Sequence, residues 1–172
     1  GTGAFSYCQQ LQTVKFSANM SVIPQECFKN SGITEIIIPG NIKQIQSYAF
    51  FRCDALASVI ISDSVNYIGE RAFEVSPSYG KKCYTEIYIP GSVKTISSGA
   101  FSCSSLKIVT LSEGVEDISS AFWSSGITSI TLPSTITNIK NLAFDKCTSL
   151  TSITIPGTVK TISYGAFRDC IN

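Results

Sequence analysis

The sequence predicts an α/β-type solenoid, in which short parallel strands alternate with irregular or short helical segments. Three observations lead to this fold class. Phenylalanine returns at a nearly constant interval, apolar-polar-apolar triplets recur between the phenylalanines, and a proline or serine follows most of these triplets. A fixed period of about 20–50 residues is typical of proteins that stack one small structural unit many times.

The phenylalanine repeat extends over the whole chain. Alanine or cysteine precedes each of these residues, and intervals of 23, 22, 23, 28, 21, 22 and 23 residues separate them. They are Phe5, Phe28, Phe50, Phe73, Phe101, Phe122, Phe144 and Phe167. We expect one array over residues 1–172, with about seven repeats of about 23 residues, partial repeats at both ends and an insertion at 74–84 in the fourth repeat. Because neither end carries a polar capping unit, we expect the chain to be a fragment of a longer protein.

Each repeat is predicted to contain one strand and one irregular side. In the last repeat, Leu150 and Ile153 belong to a Leu-x-x-Ile-x-Ile pattern whose end alternates as on a half-buried strand. Pro156 ends that strand, since proline donates no ladder hydrogen bond. This pattern and period match leucine-rich repeats. We therefore expect a right-handed superhelix with a parallel β-sheet on its concave face and irregular or short helical segments on its convex face.

Two columns of side chains are predicted to be buried when the repeats stack. One contains the recurring phenylalanines. The other contains the first apolar residue of each strand triplet: Val14, Ile36, Val59, Ile87, Val109, Ile130 and Ile153.

The segment "LTSITIPGTVKTISYGAFRDC", residues 150–170, resembles the BspA-like (Treponema-type) leucine-rich repeat family. The resemblance extends over the whole chain. It implies a secreted or surface-anchored protein, extracellular or on the cell surface, and several family members are adhesins that bind extracellular-matrix proteins or host cells. The chain departs from the family pattern in three places: the second and sixth repeats lack the usual cysteine, the fifth is shortened, and the fourth is enlarged.

Composition argues against several functional classes. The net charge is +1, with 13 basic and 12 acidic residues, so no basic field exists to bind nucleic acid. No apolar run approaches the roughly 18 residues that a membrane span requires, so we expect no membrane insertion. The sequence contains no histidine, which excludes Ser-His and Cys-His catalytic pairs. We expect a protein that is not an enzyme and that binds no cofactor and no metal.

The seven cysteines lack the close pairing of zinc sites. Five occupy one repeat position, and we interpret them as mostly reduced, buried residues lining a turn: Cys8, Cys53, Cys103, Cys147 and Cys170. A disulfide between neighbouring repeats is conceivable, but only the last two of these cysteines belong to adjacent repeats. Cys27 replaces an alanine and is expected in the core. Cys83 lies in the insertion, and the repeat pattern assigns it no position. Asn19 begins an Asn-Met-Ser glycosylation acceptor pattern, but it also lies in a polar column that could hydrogen-bond turn backbone.

The outward-facing strand residues differ between repeats. The later repeats carry serine and threonine, whereas earlier ones carry Ile37, Ile60, Tyr88 and Ile108, flanked by Glu35 and Glu86. With Tyr79 and Tyr84 from the insertion, these residues form our candidate partner-binding surface. Isoleucine and tyrosine are also good strand formers, and missing parts of the protein could cover them. We predict a protein-binding or adhesion module for a host matrix or cell-surface protein; the alternative is a structural spacer without a ligand. The oligomeric state stays open.

Overall fold

The computed structural model describes residues 1–75 and 83–172. Over these ranges the chain forms a solenoid of short strands, and every strand pair is parallel. Six strands of three or four residues form what we call the main sheet: β2 (Glu35–Ile38), β4 (Ser58–Ile61), β6 (Glu86–Ile89), β8 (Ile108–Leu111), β9 (Ser129–Thr131) and β11 (Ser152–Thr154). Six strands of two residues form the short-strand side: β1 (Val22–Ile23), β3 (Gln44–Ile45), β5 (Tyr67–Ile68), β7 (Thr95–Ile96), β10 (Asn138–Ile139) and β12 (Thr161–Ile162).

Strand register follows the sequence repeat. Ile36 pairs with Val59, and Ile87 with Val109, so equivalent positions of successive repeats lie side by side. Four main-sheet strands show an exposed–buried alternation over four residues, as the apolar-polar-apolar pattern predicts. Residues 11–17, where the pattern predicts a first strand, contain none.

The expected helical segments on the second side are not present, and that part of the prediction was wrong. The described residues contain no helix, and therefore no helix that could span a membrane. The backbone explains why. Residues two positions before and two positions after most of the phenylalanines adopt left-handed conformations, as Tyr48 (φ 61°) and Arg52 (φ 55°) do around Phe50. Left-handed residues interrupt a right-handed helix, so no helical turn can propagate between the short strands. Glycine occupies the first of these positions at Gly99 and Gly165.

A ladder of stacked aromatic rings runs through the core. All eight recurring phenylalanines stack face to face on their neighbours, with ring centroids 5.0–6.0 Å apart. The five rings from Phe50 to Phe144 are fully buried, whereas Phe5 at one end is 47% exposed. The phenylalanine column from Phe28 to Phe144 and the strand column from Ile36 to Ile130 are confirmed as core. The prediction was wrong for Phe5, which is exposed, and Phe167, Val14 and Ile153 are only partly buried against the core.

The main sheet is interrupted once. Strands β2 and β4 form one hydrogen-bonded sheet, and β6, β8, β9 and β11 form another. The break lies beside the insertion, between β4 and β6. Just before the two strands, the amide of Tyr84 donates to the carbonyl oxygen of Leu56 at 2.8 Å, so the two parts remain adjacent.

Candidate functional site

The solvent face of the main sheet presents four large apolar side chains. Ile37 is 61% exposed, Ile60 54%, Tyr88 54% and Ile108 57%. Strand alternation explains this exposure. Ile37, Ile60 and Tyr88 each lie between two buried strand residues, and Ile108 begins its strand next to a buried residue. The predicted outward orientation of these four residues is confirmed, and we call them the apolar patch.

The apolar patch spans two rows of the sheet. Ile37 pairs directly with Ile60 across β2 and β4, and Tyr88 pairs with Thr110 across β6 and β8. Ile108 lies in the neighbouring row, where it pairs with Glu86. The patch therefore crosses the break in the main sheet.

A groove of about 460 Å³ lies at that break. Its walls include Ile60 from β4, Glu86 and Tyr88 from β6, and Ile108 from β8. The hydroxyl of Ser112 donates to the Tyr88 hydroxyl oxygen at 2.9 Å, which fixes the end of the ring while more than half of the side chain remains exposed.

Two acidic residues lie beside the patch. Glu35 and Glu86 are exposed, and neither takes part in a salt bridge among residues 1–75 and 83–172. The salt bridges of this part of the chain lie away from the main sheet, for example Lys94 with Glu116 at 3.2 Å. Within the described residues, no salt bridge neutralises either carboxylate beside the patch.

Tyr84 is not part of the exposed surface, and this assignment was wrong. The side chain is 1% exposed, and its hydroxyl donates to the carbonyl oxygen of Phe73 at 2.8 Å. Burial raises the pKa of the Tyr84 phenol. The sequence contained the relevant pattern: Tyr84, Ile87 and Ile89 follow the spacing of Leu-x-x-Ile-x-Ile, so the tyrosine occupies the buried leucine position. Tyr79 lies outside the described residues.

Three of the seven cysteines donate a hydrogen bond from the thiol to a turn carbonyl of the preceding repeat. The thiols of Cys53 and Cys147 donate to the carbonyl oxygens of Phe28 and Phe122, at 3.1 and 3.2 Å. Burial raises the pKa of both thiols to about 11, so they are poor nucleophiles near neutral pH. Their predicted burial is confirmed. Cys27 is buried in the core as expected, whereas Cys8 is exposed and Cys170 only partly buried.

Serine fills the cysteine position in the two repeats that lack cysteine. Ser31 and Ser125 are buried, and their hydroxyls lie 3.3 and 3.4 Å from the sulfur atoms of Cys53 and Cys147. A small polar side chain therefore occupies this position in both kinds of repeat.

Cys83 and Cys103 form a disulfide, so the prediction that Cys103 is reduced was wrong. The bond attaches the end of the insertion to the next repeat, and both residues are buried. Together with the buried Tyr84, it anchors the chain where it enters β6.

The polar column that contains Asn19 has a structural role in several repeats. Ser64 donates to the carbonyl oxygen of Ile42 at 2.7 Å, and Thr158 donates to that of Ile136 at 3.2 Å. These bonds connect each turn to the preceding repeat. Asn19 itself is exposed.

The other half of the main sheet carries hydroxyl groups. A second groove of about 590 Å³ follows β8, β9 and β11, and its outward residues include Thr110, Ser129, Thr131, Ser152 and Thr154. We call these five residues the hydroxyl half. Among the described residues, no group of histidine, cysteine, aspartate or glutamate side chains could hold a metal ion.

Comparison with known proteins identifies one matching protein family. The family profile described as the BspA type leucine rich repeat region (6 copies) matches residues 1–81 and 78–172. No functionally curated protein matches the chain.

Solved structures of bacterial leucine-rich repeat proteins share the fold. One from Bacteroides ovatus ATCC 8483 is 26% identical, with a TM-score of 0.52, and the match covers 100% of this chain and 56% of that one. The leucine-rich repeat protein of T. pallidum is also 26% identical, with a TM-score of 0.71 and coverage of 81% and 64%. A leucine rich cell surface protein from Faecalibacterium prausnitzii A2-165 is 30% identical, with a TM-score of 0.50 and coverage of 70% and 38%.

The chain thus spans less than two thirds of the length of each of these three proteins. The family profile matches both halves of the chain, the strands repeat in the register that its pattern requires, and the solved structures share the solenoid. The chain belongs to the BspA-type leucine-rich repeat family.

Proposed function

We propose that the chain is a protein-binding or adhesion module of a secreted or cell-surface protein, and that it binds a host matrix or cell-surface protein through the apolar patch. One observation carries the proposal. Four large apolar side chains, each more than half exposed, lie together on a sheet face whose other half carries hydroxyl groups. Contiguous exposed apolar surface with a polar border is typical of interaction sites.

The contrast between repeats strengthens this inference. Thr110, Thr131 and Thr154 occupy the same strand position as Ile60 and Tyr88. A polar residue with high strand propensity is therefore compatible with this position. Exposed isoleucine and tyrosine on strands carry an aggregation risk, which a binding function would justify. The cell-surface description of the Faecalibacterium prausnitzii protein supports an extracellular location.

A spacer function is the alternative. The continuous phenylalanine ladder couples each repeat to the next, as a rigid spacer would require. A spacer needs no partner, so it predicts that no substitution on the main sheet alters any interaction.

The test is a binding screen followed by substitution. Immobilised purified extracellular-matrix proteins are screened by surface plasmon resonance. The double variant Ile60→Thr/Tyr88→Thr is then compared with the wild type and with Thr131→Ala/Thr154→Ala from the hydroxyl half. We expect the first variant to weaken binding by about 2 kcal/mol or more, roughly 30-fold, and the second to leave it nearly unchanged. Equal binding by all three proteins would refute the patch, and no binding to any matrix protein would favour the spacer.

A further inference from the structure

The groove between β4 and β6 differs from the other strand boundaries of the main sheet. Ladder pairing joins β2 to β4, and it joins β6, β8, β9 and β11 in turn, but no ladder pair joins Ser58–Ile61 to Glu86–Ile89. The ladder pairing made at the other boundaries is thus missing here, although the amide of Tyr84, before β6, bonds to the carbonyl oxygen of Leu56, before β4. The groove therefore combines apolar walls with the carboxylate of Glu86, and a polar group in such a place favours a partner that can hydrogen-bond it.

Charge distinguishes the groove as well. Glu86 lines it, and its carboxylate has no salt bridge among the described residues. Lys107, the exposed basic residue that precedes β8, forms no salt bridge with it in the described part of the chain. Across the patch, Glu35 adds a second unpaired carboxylate in the same row of the sheet. A partner that supplies positive charge would complement this face, and a partner that supplies negative charge would be repelled.

The walls suit a long side chain with a charged end. Ile60 and the ring of Tyr88 offer an apolar surface on either side of the break, and Ser112 holds the tyrosine hydroxyl. The aliphatic part of an arginine could pack against Ile60, while its guanidinium stacks on the ring and reaches Glu86. Arginine fits better than lysine, because its planar group can stack on the tyrosine ring and bond both oxygens of a carboxylate at once.

We propose that the partner of the apolar patch is an extended, apolar protein segment with an arginine that enters the groove between β4 and β6 and pairs with Glu86. This inference rests on the proposed function, since it names the chemistry of the segment that the patch would bind. It predicts that recognition depends on the positive charge of one partner residue as well as on apolar contact.

Two capped heptapeptides test the proposal. In the first, threonine and isoleucine alternate around a central arginine; the second is identical except that citrulline, a neutral analogue of arginine, replaces it. Each is titrated into the ¹⁵N-labelled chain and followed by amide chemical shifts. We expect the arginine peptide to bind at least ten-fold more tightly, with the largest shifts in β4 and β6, and the preference to weaken as sodium chloride rises from 0.05 to 0.5 M.

Two variants locate the charge effect. In Glu86→Gln the arginine and citrulline peptides should bind equally, whereas Glu116→Gln, an exposed glutamate that pairs with Lys94 elsewhere, should keep the full preference. Equal binding of the two peptides to the wild type, no detectable binding of the arginine peptide, or a preference that survives in Glu86→Gln would each overturn the inference.

These outcomes are distinguishable from failure of the proposed function. If Ile60→Thr/Tyr88→Thr abolishes binding to a matrix protein while Glu86→Gln does not affect it, the patch is the binding surface and the arginine assignment is wrong. If neither variant affects that binding, the proposed function is wrong as well.

Discussion

The phenylalanine ladder gives the sharpest test of the architecture. Phe101 is fully buried, and its ring stacks on Phe73 at 5.5 Å and on Phe122 at 6.0 Å. Phe101→Ala removes both stacking contacts and leaves a cavity. A buried aromatic side chain removes roughly 150–250 Å² from water, worth about 4–6 kcal/mol at about 25 cal/mol per Å². Alanine retains part of this burial, so we expect a loss of about 3–5 kcal/mol in the free energy of unfolding.

The position of each ring along the ladder sets the controls. Phe5 is 47% exposed and stacks on one neighbour in the ladder, Phe28 at 5.4 Å. Phe5→Ala should therefore cost much less, about 1–1.5 kcal/mol. Phe101→Leu keeps much of the apolar volume but loses both stacks, and should fall between the two alanine variants.

Urea unfolding monitored by circular dichroism measures these differences. Because repeat arrays couple mainly nearest neighbours, loss of an interior repeat contact could also separate the transition into two steps. A loss below about 1 kcal/mol for Phe101→Ala, or an equal loss for Phe5→Ala, would contradict the stacked register of the core.

Three further predictions concern the turns, the thiols and the buried carboxylate. An added Cβ at Gly91 would lie 1.9 Å from the carbonyl oxygen of Glu113, whereas Gly40, which also follows a strand-ending proline, has nothing within 4 Å; Gly91→Ala should lower the melting temperature by several degrees and Gly40→Ala should not, and equal shifts would contradict the close approach. Thiol titration of unfolded protein should find five groups without reductant and seven with it, and seven in both cases would contradict the disulfide. Arg168 donates two hydrogen bonds to Asp145 and holds the pKa of that carboxyl below its usual value. The stabilisation from this ion pair is therefore present above the unfolded-state pKa of about 4, and it disappears as pH falls through the lower folded-state pKa. Asp145→Asn should be less stable than wild type at pH 7 and approach it near pH 2; a difference that is constant with pH would refute this.

The regular part of the fold could be predicted because the repeat constrains it. Once the phenylalanine interval is known, equivalent residues must lie side by side, and alternation within each strand determines which of them face solvent. Ile37, Ile60 and Tyr88 were assigned to the exposed face on that basis, and their exposure agrees.

The second side of each repeat could not be predicted as well. Apolar residues three positions apart, such as Ile42 and Ile45, fit one helical turn as readily as a short strand with a turn. The left-handed residues decide between them, and non-glycine residues such as Tyr48 and Leu142 adopt that conformation here. Side chains of this kind give no indication of it, because left-handed backbone is uncommon for them.

The insertion is the other region whose structure the repeat pattern could not predict. The repeat constrains a residue only where the period holds, and 28 residues separate Phe73 from Phe101. The pattern therefore assigns no position to Cys83 and predicts Tyr84 on the surface with the rest of the insertion. Both residues instead belong to the start of the next repeat, where the disulfide and the hydrogen bond to Phe73 hold them. The outer face of the sheet breaks at the same place.

The residues that stabilise the fold are thus separate from those of the proposed binding surface. The phenylalanine ladder, the thiol and hydroxyl bonds to turn carbonyls and the buried strand residues all lie inside the solenoid, and none depends on the outward residues of the main sheet. Outward residues can therefore change from threonine to isoleucine or tyrosine at little cost in stability.

A perfect repeat has a different limitation for partner recognition. Every strand boundary would be alike, so the sheet face would offer no distinct position to a partner. The enlarged fourth repeat removes that uniformity: it interrupts the ladder between β4 and β6 and leaves a groove with Glu86 in its wall, within the apolar patch. Deleting five residues of the stretch 76–82, with Cys83 and Tyr84 kept, should restore pairing between these strands, close the groove and remove the proposed arginine preference, while the unfolding free energy changes little. A shortened variant that keeps the preference would show that the groove is not the source of specificity.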